Sequence, residues 1–295
     1  MANLKAIRRR IKSVQATQKI TRAMRLVAAA KVRRAQMRVQ AARPFTQAVI
    51  RILQDAVHDL AKVDLEGLPL LHSRPVKKVA IIVLSSDRGL CGSYNTNVFR
   101  ETLARLKTLS DEKKEVALIL VGLKAAAFFR SVKVEKLKTY TLLPAIPTVQ
   151  EAKLISEQAC ELFTSGKVDA VELIGTEFIS MLRSRIKTTK YLPVELPEEK
   201  TTEGGAISAV KLFEPSVWEV MEKELIPKYV ENVIFQALLE AAAAELAARM
   251  NAMTNASNNA RDLISSLTLV YNKARQSGIT QDLLEIVGGA EALRG

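Results

Sequence analysis

Apolar and small residues recur in steps of three and four along the last quarter of the chain. They fall at Leu239, Ala243, Leu246, Met250 and Met253, then at Ala256, Ala260, Leu263, Leu267, Val270 and Ala274. That spacing is the seam of a coiled coil, with one slip of phase between Met253 and Ala260. The stretch 228–287 has no proline and a single glycine, Gly278, and is rich in the strong helix formers Ala, Leu, Glu and Met. As one helix it would be roughly 90 Å long at about 1.5 Å per residue. One compact core cannot bury such a rod, so most of it must pack against another long helix.

The other end of the chain offers a mate. Leu4, Ile7, Ile11 and Val14 follow a 3-4-3 spacing that lines one helical stripe. No proline or glycine interrupts residues 1–43, Pro44 predicts a break or kink, and a second helical piece spans about 45–61 before Gly67-Leu68-Pro69.

Between the two ends the period changes. Lys77 to Leu84 is a short, nearly continuous apolar run rich in Ile and Val, the pattern of a buried strand. A turn over 85–93 follows. A helix is expected over 95–109, with Val98, Leu103, Leu106 and Leu109 on or near its buried side. Further expectations are a strand at 116–121, a short helix at 123–129, an extended edge at 131–143, a helix at 148–163 and strands at 168–175 and 179–191. Thr148 and Glu151 make a T-x-x-E capping box for the third of these helices. The alternation predicts an α/β domain with a largely parallel sheet over about 76–192. Residues 193–216, with three prolines, a Gly-Gly pair and many charges, read as a linker.

Charge changes the picture at one end only. The first 54 residues hold 14 Lys and Arg and no acid, whereas the remainder is nearly balanced; the net charge of +13 therefore sits on the first segment. A transit peptide would share this amphipathic, acid-free character but would be rich in serine, and only Ser13 occurs before residue 73. Two readings stay open on charge alone. One is an arm that binds nucleic-acid phosphates; the other is a helix that faces an acidic protein partner.

Candidate chemistry is sparse. Cys91 and Cys160, His58 and His72 show no metal-ligand or redox spacing. The glycines of the turn at 85–93 match neither G-x-x-x-x-G-K-[ST] nor G-x-G-x-x-G, so no nucleotide or other cofactor site is expected. No histidine neighbours Cys91 to serve as its base, and no constellation marks a catalyst. No run of about 18 apolar residues predicts a membrane span.

Several motifs in order resemble one family, the gamma subunit of F-type ATP synthase. Ala16-Thr17-Gln18-Lys19-Ile20-Thr21-Arg22-Ala23-Met24-Arg25-Leu26-Val27-Ala28-Ala29-Ala30-Lys31 is similar to its N-terminal helix. Ser86-Asp87-Arg88-Gly89-Leu90-Cys91-Gly92 is similar to its central turn, with Ser93 where glycine is usual. Glu245-Leu246-Ala247-Ala248-Arg249-Met250, Tyr271-Asn272-Lys273-Ala274-Arg275-Gln276 and Ile279-Thr280-Gln281-Asp282-Leu283-Leu284-Glu285 resemble its C-terminal helix, with Asp282 in place of the usual Glu. The first helix looks most like the photosynthetic branch. That branch's long insert and the chloroplast type's regulatory cysteine pair are both missing, so thiol control is not expected.

The resemblance implies an α/β protein with a long antiparallel α-helical coiled coil formed by its N- and C-terminal helices around a central Rossmann-like α/β domain. The expected domains are an N-terminal coiled-coil helix at 1–66, the α/β domain at 76–192, the linker at 193–216 and a C-terminal coiled-coil helix at 217–295. It implies a central-stalk rotor without a catalytic, cofactor or metal site of its own. The implied partners are the alpha and beta subunits of the synthase head, the epsilon subunit and the ring of c subunits. Membrane contact would run through these partners alone. The implied location is peripheral, on the cytoplasmic face of a bacterial plasma membrane or, alternatively, on the thylakoid membrane.

By the same resemblance Arg275, Gln276 and Thr280, with Asp282 and Glu285 beside them, contact the beta subunit. Met24 and Arg249 influence coupling. Lys31, Arg33 and Arg34 are our own candidates for acidic loops of beta. The alternative from another class is a basic coiled-coil nucleic-acid-binding protein.

Overall fold

The computed structural model describes residues 2–60, 68–194 and 217–292. Its elements are α1 (Ala2–Leu60), β1 (Lys78–Leu84), α2 (Tyr94–Asp111), β2 (Glu115–Val121), α3 (Leu123–Phe129), β3 (Glu135–Tyr140), α4 (Val149–Thr164), β4 (Ala170–Phe178), β5 (Ser184–Leu192), α5 (Val217–Val220) and α6 (Ile226–Ala292). The chain divides into two compact units. One joins Met1–Ala29 with Arg249–Gly295; the other is Ala30–Ala248.

The second unit is a five-stranded sheet with helices on both faces. Strand order is β3-β2-β1-β4-β5, parallel except for β5, which pairs antiparallel with β4. Six of the seven residues of β1 are buried, which is why its sequence is apolar without alternation. One face carries α2 and α3, packing Val98, Phe99, Leu109, Ala125 and Phe129 against Val79, Ile81, Val83, Leu118 and Leu120. The other face carries α4, the first turns of α6 and Leu53 of α1. Glu151 accepts the Thr148 backbone N–H at 2.7 Å, so the capping box that starts α4 is formed.

Four local expectations are corrected. Pro44 lies inside an unbroken α1, so no second helical piece begins at Phe45. Leu103 is exposed on α2. The last strand begins at Ser184, not Ile179, because Ser180 closes a tight turn: its N–H donates to Arg183 O at 2.9 Å and its hydroxyl accepts from the Arg183 N–H at 3.1 Å. The fourth correction is the phase of the C-terminal seam, set out below. Residues 195–216, most of the expected linker, and residues 61–67 lie outside the described residues.

Pro227, in the first turn of α6, has its own local effect. It lacks the N–H that would bond the carbonyl of Lys223, and its ring crowds that oxygen. The chain answers with one π turn, Met221–Leu225, between α5 and α6.

Candidate partner-contact site

Within the second unit the two long helices pair. Val32, Ala35 and Val39 of α1 share one apolar cluster with Leu239, Ala243 and Leu246 of α6. Leu53, further along α1, clusters instead with Ile226, Val230 and Ile234, earlier on α6. Rising numbers on one helix therefore meet falling numbers on the other, and the pair is antiparallel. Each helix contributes steps of three and four, as knobs-into-holes packing requires.

The first unit has a stripe of its own on each helix. On α6 the stripe runs through the buried Met253, Ser257 and Ala260 and then the half-buried Ile264, Leu267, Tyr271, Ala274 and Gly278. This is an unbroken alternation of four and three, with no slip. Ala256 is only half-buried, and Leu263 and Val270 stand at 40% and 51% exposure, so the expected shift of phase is overturned. Its physical origin is Ser257. A small hydroxyl tolerates a seam position between short side chains, and the apolar residues beside the seam drew the sequence reading one step aside. On α1 the matching stripe is Leu4, Ile7, Ile11, Val14, Gln18, Thr21 and Ala28, and the same phase runs on through Val32, Val39, Thr46 and Leu53 across Pro44.

Burial on α6 stops at Gly278. Every described side chain from Ile279 to Ala292 is exposed, although the helix runs on for roughly 20 Å at about 1.5 Å per residue. This tip has an aliphatic side. Ile279, Leu283, Ile286 and Val287 lie within one arc of the helix, and Leu284 borders it. The proposed contact residues sit here or just before. Arg275, Gln276, Thr280, Asp282 and Glu285 are all exposed. The Thr280 hydroxyl donates back to Gln276 O at 3.0 Å, and Glu285 accepts from Gln281 Nε2 at 3.0 Å. The aliphatic members of the tip were absent from the expected contact set, yet they stand exposed beside it.

The basic residues lie elsewhere. Arg33 and Arg34 are exposed and Lys31 half-buried on α1 in the second unit, with no ion-pair partner among the described residues. Met24 and Arg249 belong to the first unit; both are half-buried, and Arg249 is engaged within the fold. The structure therefore does not gather the candidates into one spot. They are distributed over α1 and α6.

The α/β domain has its own answer to the absent nucleotide motif. In doubly wound sheets ligands bind beyond the carboxyl ends of the strands where strand order reverses, here between β1 and β4. That crevice is taken. Cys91 and Tyr94, following β1, and Phe178, ending β4, share one buried cluster with Val32, Ala35 and Val39 of α1 and with Leu239, Ala243, Ala244 and Ala247 of α6. The chain's own helix pair fills the place of a ligand.

The turn after β1 is braced for that contact. The Asp87 carboxylate accepts the backbone N–H groups of Leu123 at 2.8 Å and Leu143 at 3.0 Å. Ser85 Oγ donates to Val121 O at 2.9 Å and accepts from the Ala125 N–H at 3.0 Å. A sequence signal for the seat did exist: residues 237–248 are small or apolar nearly all round, and a helix of that kind needs cover on more than one side.

Among the described residues no group of three or more His, Cys, Asp and Glu lies close enough to hold a metal ion. Among them, too, no helix is long and apolar enough to cross a membrane.

Comparison with known proteins agrees with this arrangement. Residues 3–293 match the family model described as ATP synthase. ATP synthase gamma chains from Cyanothece sp. and Thermosynechococcus vestitus are 45% and 46% identical over 317 aligned positions, covering 100% of this chain and 100% of each relative. The alignments are longer than the 295-residue chain, so these relatives carry segments that it lacks. A chain of the Euglena gracilis mitochondrial ATP synthase superposes with a TM-score of 0.64 at 19% identity, covering 99% of this chain and 95% of that one. One from the Tetrahymena thermophila mitochondrial ATP synthase, central stalk and c-ring, gives 0.61 at 24% identity, covering 81% and 99%. With a full-length family match, relatives at this identity and the same fold, the chain belongs to the gamma chain family of the ATP synthases.

Proposed function

We propose that this chain is the central-stalk rotor of a rotary ATP synthase and performs no chemistry itself. The observation that carries the reading is the bare tip of α6. After Gly278 the helix has no described partner side, yet it displays Ile279, Leu283, Leu284, Ile286 and Val287. An isolated helix gains nothing by exposing that much aliphatic surface, so the tip is built to be enclosed by other chains. Support comes from similar solved structures, which are a central stalk with c-ring and a head with c-ring.

In this reading the enclosing chains are the alternating alpha and beta subunits of the head. Arg275, Gln276, Thr280, Asp282 and Glu285 meet beta beside the aliphatic tip. Lys31, Arg33 and Arg34 meet acidic beta loops lower down, and Met24 with Arg249 sets the fidelity of coupling. The epsilon subunit and the c ring attach to the base, so the chain touches the membrane through partners only, on the cytoplasmic face of a bacterial plasma membrane or on a thylakoid. Proton flow through the ring turns the rotor. Because the rotor's faces differ, its contact energy with each beta conformation differs, and rotation exchanges those energies among the three sites. ATP chemistry stays in beta.

Affinity capture of the full chain from its native membrane tests the reading. Alpha, beta and c subunits should co-purify. Recovery of the chain without them, bound instead to nucleic acid in a salt-sensitive complex, would overturn it.

A further inference from the structure

We propose that Tyr94 and Phe178, with Cys91 packed beside them, form a collar that fixes the helix pair to the α/β domain and carries the load between the two. The proposal rests on the rotor reading and adds to it residues to which no role has been given.

Three observations carry it. The collar occupies the switch-point crevice, the one place on a doubly wound domain where loops from two non-consecutive strands converge on a guest. Its aromatic side chains share one buried cluster with residues of both helices, Val32 and Ala35 on one and Ala243, Ala244 and Ala247 on the other. These helix residues are also the last of their unit, since the division falls at Ala29/Ala30 and at Ala248/Arg249.

Load passed along the helix pair must enter the α/β domain through side chains that join the two within this unit. The collar suits that task, because two rigid aromatic groups share a cluster with alanines, where close packing leaves no slack and strain is passed on. The backing is stiff as well. The Tyr94 N–H donates to Cys91 O at 3.3 Å, Asn95 Nδ2 donates to Ser86 Oγ at 2.8 Å, and the Ser180 turn closes the strand that ends in Phe178. The larger apolar cluster on the α4 face is built from other buried residues, so a core remains when the collar is altered.

The test uses the assembled complex in sealed vesicles, reading ATP-driven proton uptake per ATP hydrolysed. With Tyr94→Ala and Phe178→Ala together, the ratio should fall at least about threefold, within the range of couplings altered away from a binding site. Subunit content should not change, and Tyr94→Phe with Phe178→Leu should restore the ratio. A wild-type ratio in the assembled double variant overturns the proposal.

A second variant, Tyr94→Cys with Ala243→Cys, covers the case in which the first fails to assemble. An oxidised bridge, verified by mass spectrometry, should raise the ratio above that of the reduced protein, in which the Tyr94 side chain is missing, because the bond ties domain and helix pair in its place. An oxidised ratio no higher than the reduced one also overturns the proposal. Should the wild-type chain itself drive no proton uptake with its partners, it is the rotor reading that fails, separately from the collar.

Discussion

Arg105 and Glu172 form a two-pronged ion pair that ties α2 to the first half of β4: Nε lies 2.7 Å from Oε2 and Nη2 2.5 Å from Oε1. Glu172 is only 7% exposed, so its carboxylate depends on this cation among the described residues. Arg105→Ala should lower the unfolding free energy by about 3–5 kcal/mol, because it strands a buried charge. Replacing both residues with Met should cost far less. Urea unfolding of the three proteins checks this, and equal losses in both variants would refute it.

The seam of α6 makes neighbouring residues unequal. Ile264 faces the helix pair, while Leu263 is 40% exposed beside it. Ile264→Ala should cost about 1–2 kcal/mol, below the full core penalty because the site is half-buried. Leu263→Ala should stay within about 0.5 kcal/mol. The reverse order in thermal unfolding would restore the slipped phase.

Gly122 is fixed by its surroundings. Its φ is +101°, and an added Cβ would lie 2.5 Å from Ser85 Oγ and 2.6 Å from the Ser85 carbonyl oxygen. Gly122→Ala should therefore destabilise by about 4 kcal/mol or more. Gly166 also has positive φ, +72°, but opens onto empty space. Gly166→Ala should cost only the left-handed penalty of about 1–2 kcal/mol. Calorimetry of the two variants separates them.

Charge and coupling are tested together on α1. Removing the three bases as Lys31→Ala, Arg33→Ala and Arg34→Ala should lower proton pumping more than ATP hydrolysis in vesicles. Met24→Lys, which adds a cation at a half-buried position, should act in the same direction. Parallel loss of both activities would argue for simple misassembly.

Much of this architecture could be read from residue order, for reasons that differ by element. Strand β1 was legible because burial on both faces leaves no polar alternation. The start of α4 was legible because Thr148 and Glu151 satisfy one another locally. Pro44 misled, since a proline is tolerated where the partner helix holds both sides of it in phase. Ser257 misled in the opposite sense, because polarity says nothing of size in a seam of small residues. The Tyr94–Phe178 seat was legible from one side only: residues 237–248 signal a helix that needs cover on more than one side, but the seat joins four segments far apart in sequence, and only strand order brings them together.

The matched stripes on α1 and α6 also restrict how such a chain can change length. One residue deleted from either helix would turn everything beyond it by about 100° and carry the aliphatic row away from its mate. Growth or shrinkage is therefore quantised, acceptable only as whole heptads and only in both helices together. The segments that the cyanobacterial relatives carry in excess must accordingly be accommodated outside the paired spans.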